Sequence, residues 1–136
     1  MRTHNLFISH SWSYSAAYND LINLLDNRAY FEYRNYSVPK HDPIHTRGTQ
    51  RELRQALTNK ISPSGVIIIL AGVYSSYSKW IDEEIEIAKR GFSKPKPVLA
   101  IRPWAAKRIS TKVQYSADLI VGWNTESIIS GIRQLD

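Results

Sequence analysis

One acidic residue, Glu84, has an unusual position among the side chains that could do chemistry. The chain has no cysteine, which excludes thiol nucleophiles and thiolate zinc sites and leaves carboxylates, hydroxyls and histidines. On a helical wheel of residues 79–90 with Trp80 at zero, Glu84 falls at about 40°, inside the apolar arc. Asp82 and Glu83 fall outside that arc, where first-turn acids complement the helix dipole. Because an unpaired buried carboxylate is costly, Glu84 is predicted to have a polar partner or to face a cleft, which makes it a candidate site residue.

Two clusters of hydroxyl and aromatic side chains accompany this helix. The first, residues 9–12, follows an apolar run at the start of the chain. The second, residues 74–78, comes directly before the helix that carries Glu84. Hydroxyls are among the few side chains left for chemistry in a chain without cysteine.

Strand and helix patterns alternate along the chain and predict how these clusters are positioned. Strands are predicted over 6–8, 30–36, 66–70, 98–101 and 118–121, the second as an edge strand and the third as a fully buried one. Helices are predicted after Ser13, after a Thr49–Glu52 capping box, over 79–90 and over 124–135. The pattern predicts an α/β fold, namely a flavodoxin-like, three-layer, doubly wound sheet of five parallel strands. In that order the loops 9–13 and 71–78 flank the topological switch point, where ligands bind.

Length and composition are those of one soluble domain. The 136 residues are predicted to form a single domain, and 43% hydrophobic with 22% charged residues excludes disordered and fibrous classes. No apolar stretch approaches the roughly 20 residues that cross a bilayer, so a cytoplasmic protein is expected. The net charge of +6 favours an anionic partner: a nucleic acid, a membrane surface or a phosphorylated small molecule.

Several motifs together resemble a known family. They are the run 7–11 (Phe-Ile-Ser-His-Ser), Arg47-Gly48 with the helical apolar residues after it, the buried strand 66–70, and the segment 74–85 (Tyr-Ser-Ser-Tyr-Ser-Lys-Trp-Ile-Asp-Glu-Glu-Ile). The chain resembles TIR domains and, more narrowly, the short bacterial TIR-like proteins of the Thoeris antiphage system. The resemblance covers most of the first 90 residues, and its most specific element is Ser78-x-Trp80-x-x-x-Glu84.

The resemblance implies an enzyme of the NAD glycohydrolase or ADP-ribosyl cyclase type, with Glu84 as the catalytic residue. NAD would be the substrate, with no cofactor and no metal. The product would be a cyclic or conjugated ADP-ribose signal that activates a separate effector protein during antiviral defence. The expected substrate-binding residues are Ser9, His10, Ser11, Trp12, Tyr74, Ser76, Tyr77, Ser78 and Trp80.

The sequence lacks the motifs of other nucleotide-binding proteins and of metal-binding proteins. A phosphate-receiving regulator needs acids at the ends of the first and third strands, where this chain has Ser9-His10 and Leu70-Ala71. No P-loop and no dinucleotide-binding glycine motif is present. The segment 41–45 (His-Asp-Pro-Ile-His) has a metal-like composition, but a proline interrupts it and a solvated loop is the preferred interpretation.

Two alternatives concern partners rather than chemistry. The basic stretch 94–112 contains Trp104 and six lysines and arginines, namely Lys94, Lys96, Arg102, Lys107, Arg108 and Lys112. Without a nucleic-acid-binding motif it is interpreted as a solvated face. The stronger alternative is a non-catalytic TIR module that self-associates or docks a partner, although such an adaptor has no need of an inward-facing Glu84.

Overall fold

The computed structural model describes residues 2–9, 15–37, 49–70, 79–102 and 111–136. Strands and helices alternate through these ranges. In chain order they are β1 (Thr3–Ser9), α1 (Ser15–Asp26), β2 (Glu32–Asn35), α2 (Gln50–Ile61), β3 (Val66–Leu70), α3 (Lys79–Arg90), β4 (Val98–Arg102), α4 (Thr111–Ser116), β5 (Leu119–Gly122) and α5 (Thr125–Leu135).

The five described strands form one parallel sheet in the order β2-β1-β3-β4-β5. Every residue of β3 is buried, as its continuous β-branched sequence predicts for a strand covered on both faces. Of the helices, α1 contacts α5, whereas α2 and α4 contact α3. The predicted flavodoxin-like α/β architecture is confirmed.

Local sequence signals account for the starts of two helices. Thr49 caps α2, since its side chain accepts a hydrogen bond from the Glu52 amide at 3.2 Å. Asn124 caps α5 in the same way, accepting from the Ser127 amide at 3.0 Å. Both caps satisfy backbone donors that a helix start leaves without a partner.

The structure differs from the sequence predictions at three elements. Asp118, predicted to begin the last strand, precedes β5 and instead accepts a hydrogen bond from the Val98 amide at 2.7 Å. Helix α4 was not predicted, because its six residues include one buried side chain, Val113, which is too few to produce a helical pattern. The edge strand β2 is shorter than the predicted 30–36, since Tyr30 has a φ of 59° and belongs to the turn before it.

No helix in the described ranges is both long enough and apolar enough to cross a bilayer.

We expect Asp136 to Ala to destabilise the fold by about 2 kcal/mol, because it removes the partner of a buried histidine. His4 Nδ1 donates to the Asp136 carboxylate at 2.6 Å, and Arg2 Nε lies 3.3 Å from the same oxygen. Urea unfolding measures the effect, with Asp20 to Ala at an exposed position of α1 as the control. Equal stability of the two variants would contradict the expected role of Asp136.

Candidate active site at the carboxyl end of the sheet

The topological switch point of this sheet lies between β1 and β3. The chain leaves β1 towards β2 on one side and leaves β3 towards β4 on the other. Ser9, the last residue of β1, is paired in register with Ile69 of β3. Ligands of parallel α/β sheets bind at this kind of crevice, at the carboxyl ends of the strands.

The Glu84 carboxyl lies at this crevice in contact with β1. Its side chain is buried, with 5% of the residue exposed, and Ser9 is 1% exposed. The Ser9 hydroxyl donates a hydrogen bond to Glu84 Oε1 at 3.1 Å. The predicted inward orientation of Glu84 is therefore confirmed, and the structure supplies a polar partner for it.

Burial controls the protonation of Glu84. Loss of solvation raises the pKa of this carboxyl from an ordinary value of 4.5 to about 8, while the hydrogen bond from Ser9 acts in the opposite direction. At neutral pH the carboxyl is therefore mostly protonated in the free protein. A cation placed beside it would favour the ionised form.

The cations around α3 pair with acids other than Glu84. In the described part of the chain, the ion pairs that involve α3 join Arg54 to Glu83, Lys112 and Arg90 to Glu86, and Lys89 to Asp118. Glu83, interpreted from the sequence as a first-turn acid that complements the helix dipole, thus also contacts α2 through Arg54. Glu84 is left with a hydroxyl as its described partner and with no described counter-charge.

Most of the other predicted site residues lie outside the described ranges. These are His10, Ser11, Trp12, Tyr74, Ser76, Tyr77 and Ser78. Trp80 lies in the first turn of α3, four residues before Glu84. The contacts that these eight residues are expected to make with a substrate stay predictions.

A polar network near Ser9 had no signal in the sequence. The Ser37 hydroxyl, just after β2, accepts a hydrogen bond from the Ile8 amide at 3.1 Å. The Ser37 amide donates to Asn35 Oδ1 at 2.9 Å, and Asn35 Nδ2 donates to the Tyr18 hydroxyl at 2.7 Å. These bonds connect α1 and β2 to the end of β1, one residue before Ser9, across separations that no local pattern reveals.

Two lysines of the basic stretch have partners in the folded structure. Lys96 Nζ donates to the carbonyls of Ser62 and Ser64 at 3.1 and 2.9 Å and lies 4.8 Å from the centre of the Phe92 ring. Burial lowers the pKa of Lys96. Lys112 pairs with Glu86. The interpretation of this stretch as a simple solvated face is therefore wrong for Lys96, whereas the side chain of Lys112 is 37% exposed. Trp104, Lys107 and Arg108 lie outside the described ranges.

The described residues include histidines, aspartates and glutamates, which are common metal ligands. No group of three or more histidines, aspartates and glutamates arranged to hold a metal is present there. The histidines of the segment 41–45 lie outside those residues.

The sequence matches the model of a known protein family. A family model described as the TIR-like domain of the Thoeris protein ThsB matches residues 7–108, more than half of the chain. The chain belongs to this family. The Thoeris TIR-like domain is a module of a defence system, and the match includes both Ser9 and Glu84. The sequence resemblance is concentrated in the first 90 residues, and the match to the family model extends beyond them. A search of curated proteins found no match.

Part of the Thoeris TIR-like fold lies beyond the matched residues. Helix α5 packs against β4 and β5, and a Cβ at Gly131 of this helix would lie 3.1 Å from Leu99 and 3.2 Å from Leu119. A side chain at Gly131 would therefore require the ends of these two leucine side chains to move by a few tenths of an ångström.

Proposed function

We propose that this Thoeris TIR-like domain consumes NAD by cleaving the bond between nicotinamide and ribose. The products are nicotinamide and a cyclic or conjugated ADP-ribose that serves as a signal to a separate effector protein. The observation that carries the proposal is the buried Glu84 carboxyl at the switch point, bonded to Ser9 and without a described counter-charge.

A single carboxyl is sufficient for this reaction. Most glycosidases need a second acid to protonate the leaving oxygen, but the nicotinamide ring of NAD is already cationic at the nitrogen that leaves. When the bond breaks, its electron pair returns to that nitrogen and nicotinamide departs neutral. Positive charge then develops on the ribose, where a carboxylate stabilises it.

Charge explains how a mostly protonated Glu84 becomes the active carboxylate. The cationic ring favours ionisation of the buried carboxyl when the substrate enters, because opposite charges attract strongly where water is excluded. The ribosyl carbon is then attacked by water, by another atom of the same ADP-ribose, or by a second substrate. These three nucleophiles give hydrolysis, cyclisation and conjugation respectively.

The remaining predicted residues have defined roles in this proposal. Aromatic rings of Trp12, Tyr74, Tyr77 and Trp80 would stack on the flat rings of the substrate. The hydroxyls of Ser11, Ser76 and Ser78, together with His10, would bind its ribose and phosphate groups. NAD is the substrate, so the proposal requires no resident cofactor.

The test is product analysis by liquid chromatography and mass spectrometry. The purified protein is incubated with NAD alone and in lysates of phage-infected and uninfected cells, and nicotinamide and new nucleotides are measured. We expect nicotinamide together with a nucleotide whose mass identifies the nucleophile. If NAD stays intact in every sample although the protein still protects cells from phage, the catalytic proposal is wrong, and self-association or partner docking becomes the proposed activity.

A further inference from the structure

We propose that Ser9 is a positioning residue, whose hydroxyl holds the Glu84 carboxyl across the switch point and favours its charged form. The catalytic meaning of this role rests on the proposed function, whereas the contact itself does not. The assignment differs from the expectation that Ser9 binds substrate directly.

The geometry restricts what the Ser9 hydroxyl can do. A serine hydroxyl has one proton to donate, and here it donates to Glu84 Oε1 at 3.1 Å. Ser9 is 1% exposed and is the last residue of β1, where it pairs in register with Ile69 of the buried strand β3. The donor is therefore fixed on the rigid sheet rather than on a loop, which suits holding another side chain in place.

Among the described residues, the surroundings of Glu84 contain little else that favours its charge. Charged residues reach α3 from α2 as Arg54, which pairs with Glu83, and from α4 as Lys112, which pairs with Glu86. On α3 itself Asp82 is exposed, and the residues beside Ser9 in the sheet, Ile8 and Ile69, are apolar and buried. Among the described groups, Ser9 is thus the one that opposes the effect of burial on the Glu84 pKa.

The experiment follows the protonation of Glu84 directly. Carbon-detected NMR of protein labelled at glutamate carboxyls gives a titration curve, and the Glu84 signal is identified by its absence in Glu84 to Gln. We expect Ser9 to Ala to raise the titration midpoint of Glu84 by about one pH unit, because a hydrogen bond to the charged carboxylate is stronger than one to the neutral acid. Ser9 to Thr keeps the hydroxyl and is expected to restore most of the wild-type midpoint.

A matched control separates this effect from the general loss of a buried serine. Ser64 is also buried, and its hydroxyl donates to the Ile61 carbonyl at 2.6 Å, on a different part of the fold. Ser64 to Ala is expected to leave the Glu84 midpoint unchanged. An unchanged midpoint in Ser9 to Ala would overturn the proposal.

Kinetics of NAD consumption test the catalytic consequence of the same variant. If Glu84 acts as a carboxylate, the acidic limb of the kcat/KM profile, which reports the free protein, should move to higher pH in Ser9 to Ala by the same amount as the titration midpoint, and kcat/KM should recover above that limb. A higher KM with an unmoved limb would make Ser9 a substrate contact instead. If the NMR midpoint shifts in Ser9 to Ala but the wild-type protein leaves NAD intact, the positioning role of Ser9 stands and the proposed function alone is overturned.

Discussion

Glu84 to Gln is expected to reduce the rate of nicotinamide release from NAD by at least about 100-fold. Glutamine has nearly the same shape and can keep a hydrogen bond to Ser9, but it cannot carry the negative charge that stabilises a cationic ribose. The loss should appear mainly in kcat, because the charge acts most strongly on the transition state. Nicotinamide release under conditions in which the wild-type protein is active measures the effect.

Glu83 to Gln is the matched control for this prediction. Glu83 is the preceding residue on α3, pairs with Arg54 of α2 and undergoes the same chemical change. Its nicotinamide release should stay within about twofold of wild type, since exposed ion pairs contribute little. Comparable losses in the two variants would point to a disturbed helix, and full activity of Glu84 to Gln would exclude Glu84 as the catalytic residue.

The stability advantage of Glu84 to Gln over wild type is expected to grow with pH, by up to about 5 kcal/mol between pH 4.5 and about 8. In the unfolded chain the carboxyl loses its proton near its ordinary pKa of 4.5, whereas in the folded protein burial keeps the proton until about pH 8. Across this window the unfolded state binds fewer protons, so the wild-type free energy of unfolding falls as pH rises. Glutamine does not titrate, and the variant avoids this loss.

Urea unfolding of both proteins at a series of pH values measures this difference. Taking the difference between two otherwise identical chains cancels the contributions of the other titrating groups. The Ser64 to Ala variant, which changes a buried residue without removing a titrating group, should give no comparable rise with pH when it is compared with wild type in the same way. Parallel curves for wild type and Glu84 to Gln would show that Glu84 titrates normally in the folded protein.

The proposed function of Glu84 has a cost in folding stability. The residue proposed to do the chemistry is also one whose ionisation weakens the fold, since burial opposes the charge that catalysis needs. Such trade-offs are common at active sites. The expected sign of this trade-off is that Glu84 to Gln, which has nearly the same shape as the wild type, is more stable and inactive.

Periodicity and local signals predicted most of the fold. The run 66–70 predicted a buried strand, and the caps Thr49 and Asn124 located the starts of two helices. These signals are readable because they depend on neighbours a few residues away. Helix α4 could not be predicted because it is short. The beginning of β5 could not be predicted because Asp118 accepts a hydrogen bond from the Val98 amide, twenty residues earlier in the chain.

For the candidate site, the sequence by itself determined that the acting group is a carboxyl and that it lies on the apolar face of its helix. The helical wheel placed Glu84 among apolar residues, and the Ser78-x-Trp80-x-x-x-Glu84 motif predicted the family that the family comparison confirms. The tertiary structure alone decided which hydroxyl meets that carboxyl, since Ser9 is 75 residues away along the chain. It likewise decided that Arg54 and Lys112 pair with Glu83 and Glu86. The physical reason is that a residue's polarity and its position on a helix follow from local sequence, whereas its partners across a parallel sheet depend on strand order and helix packing, which no short stretch of sequence contains.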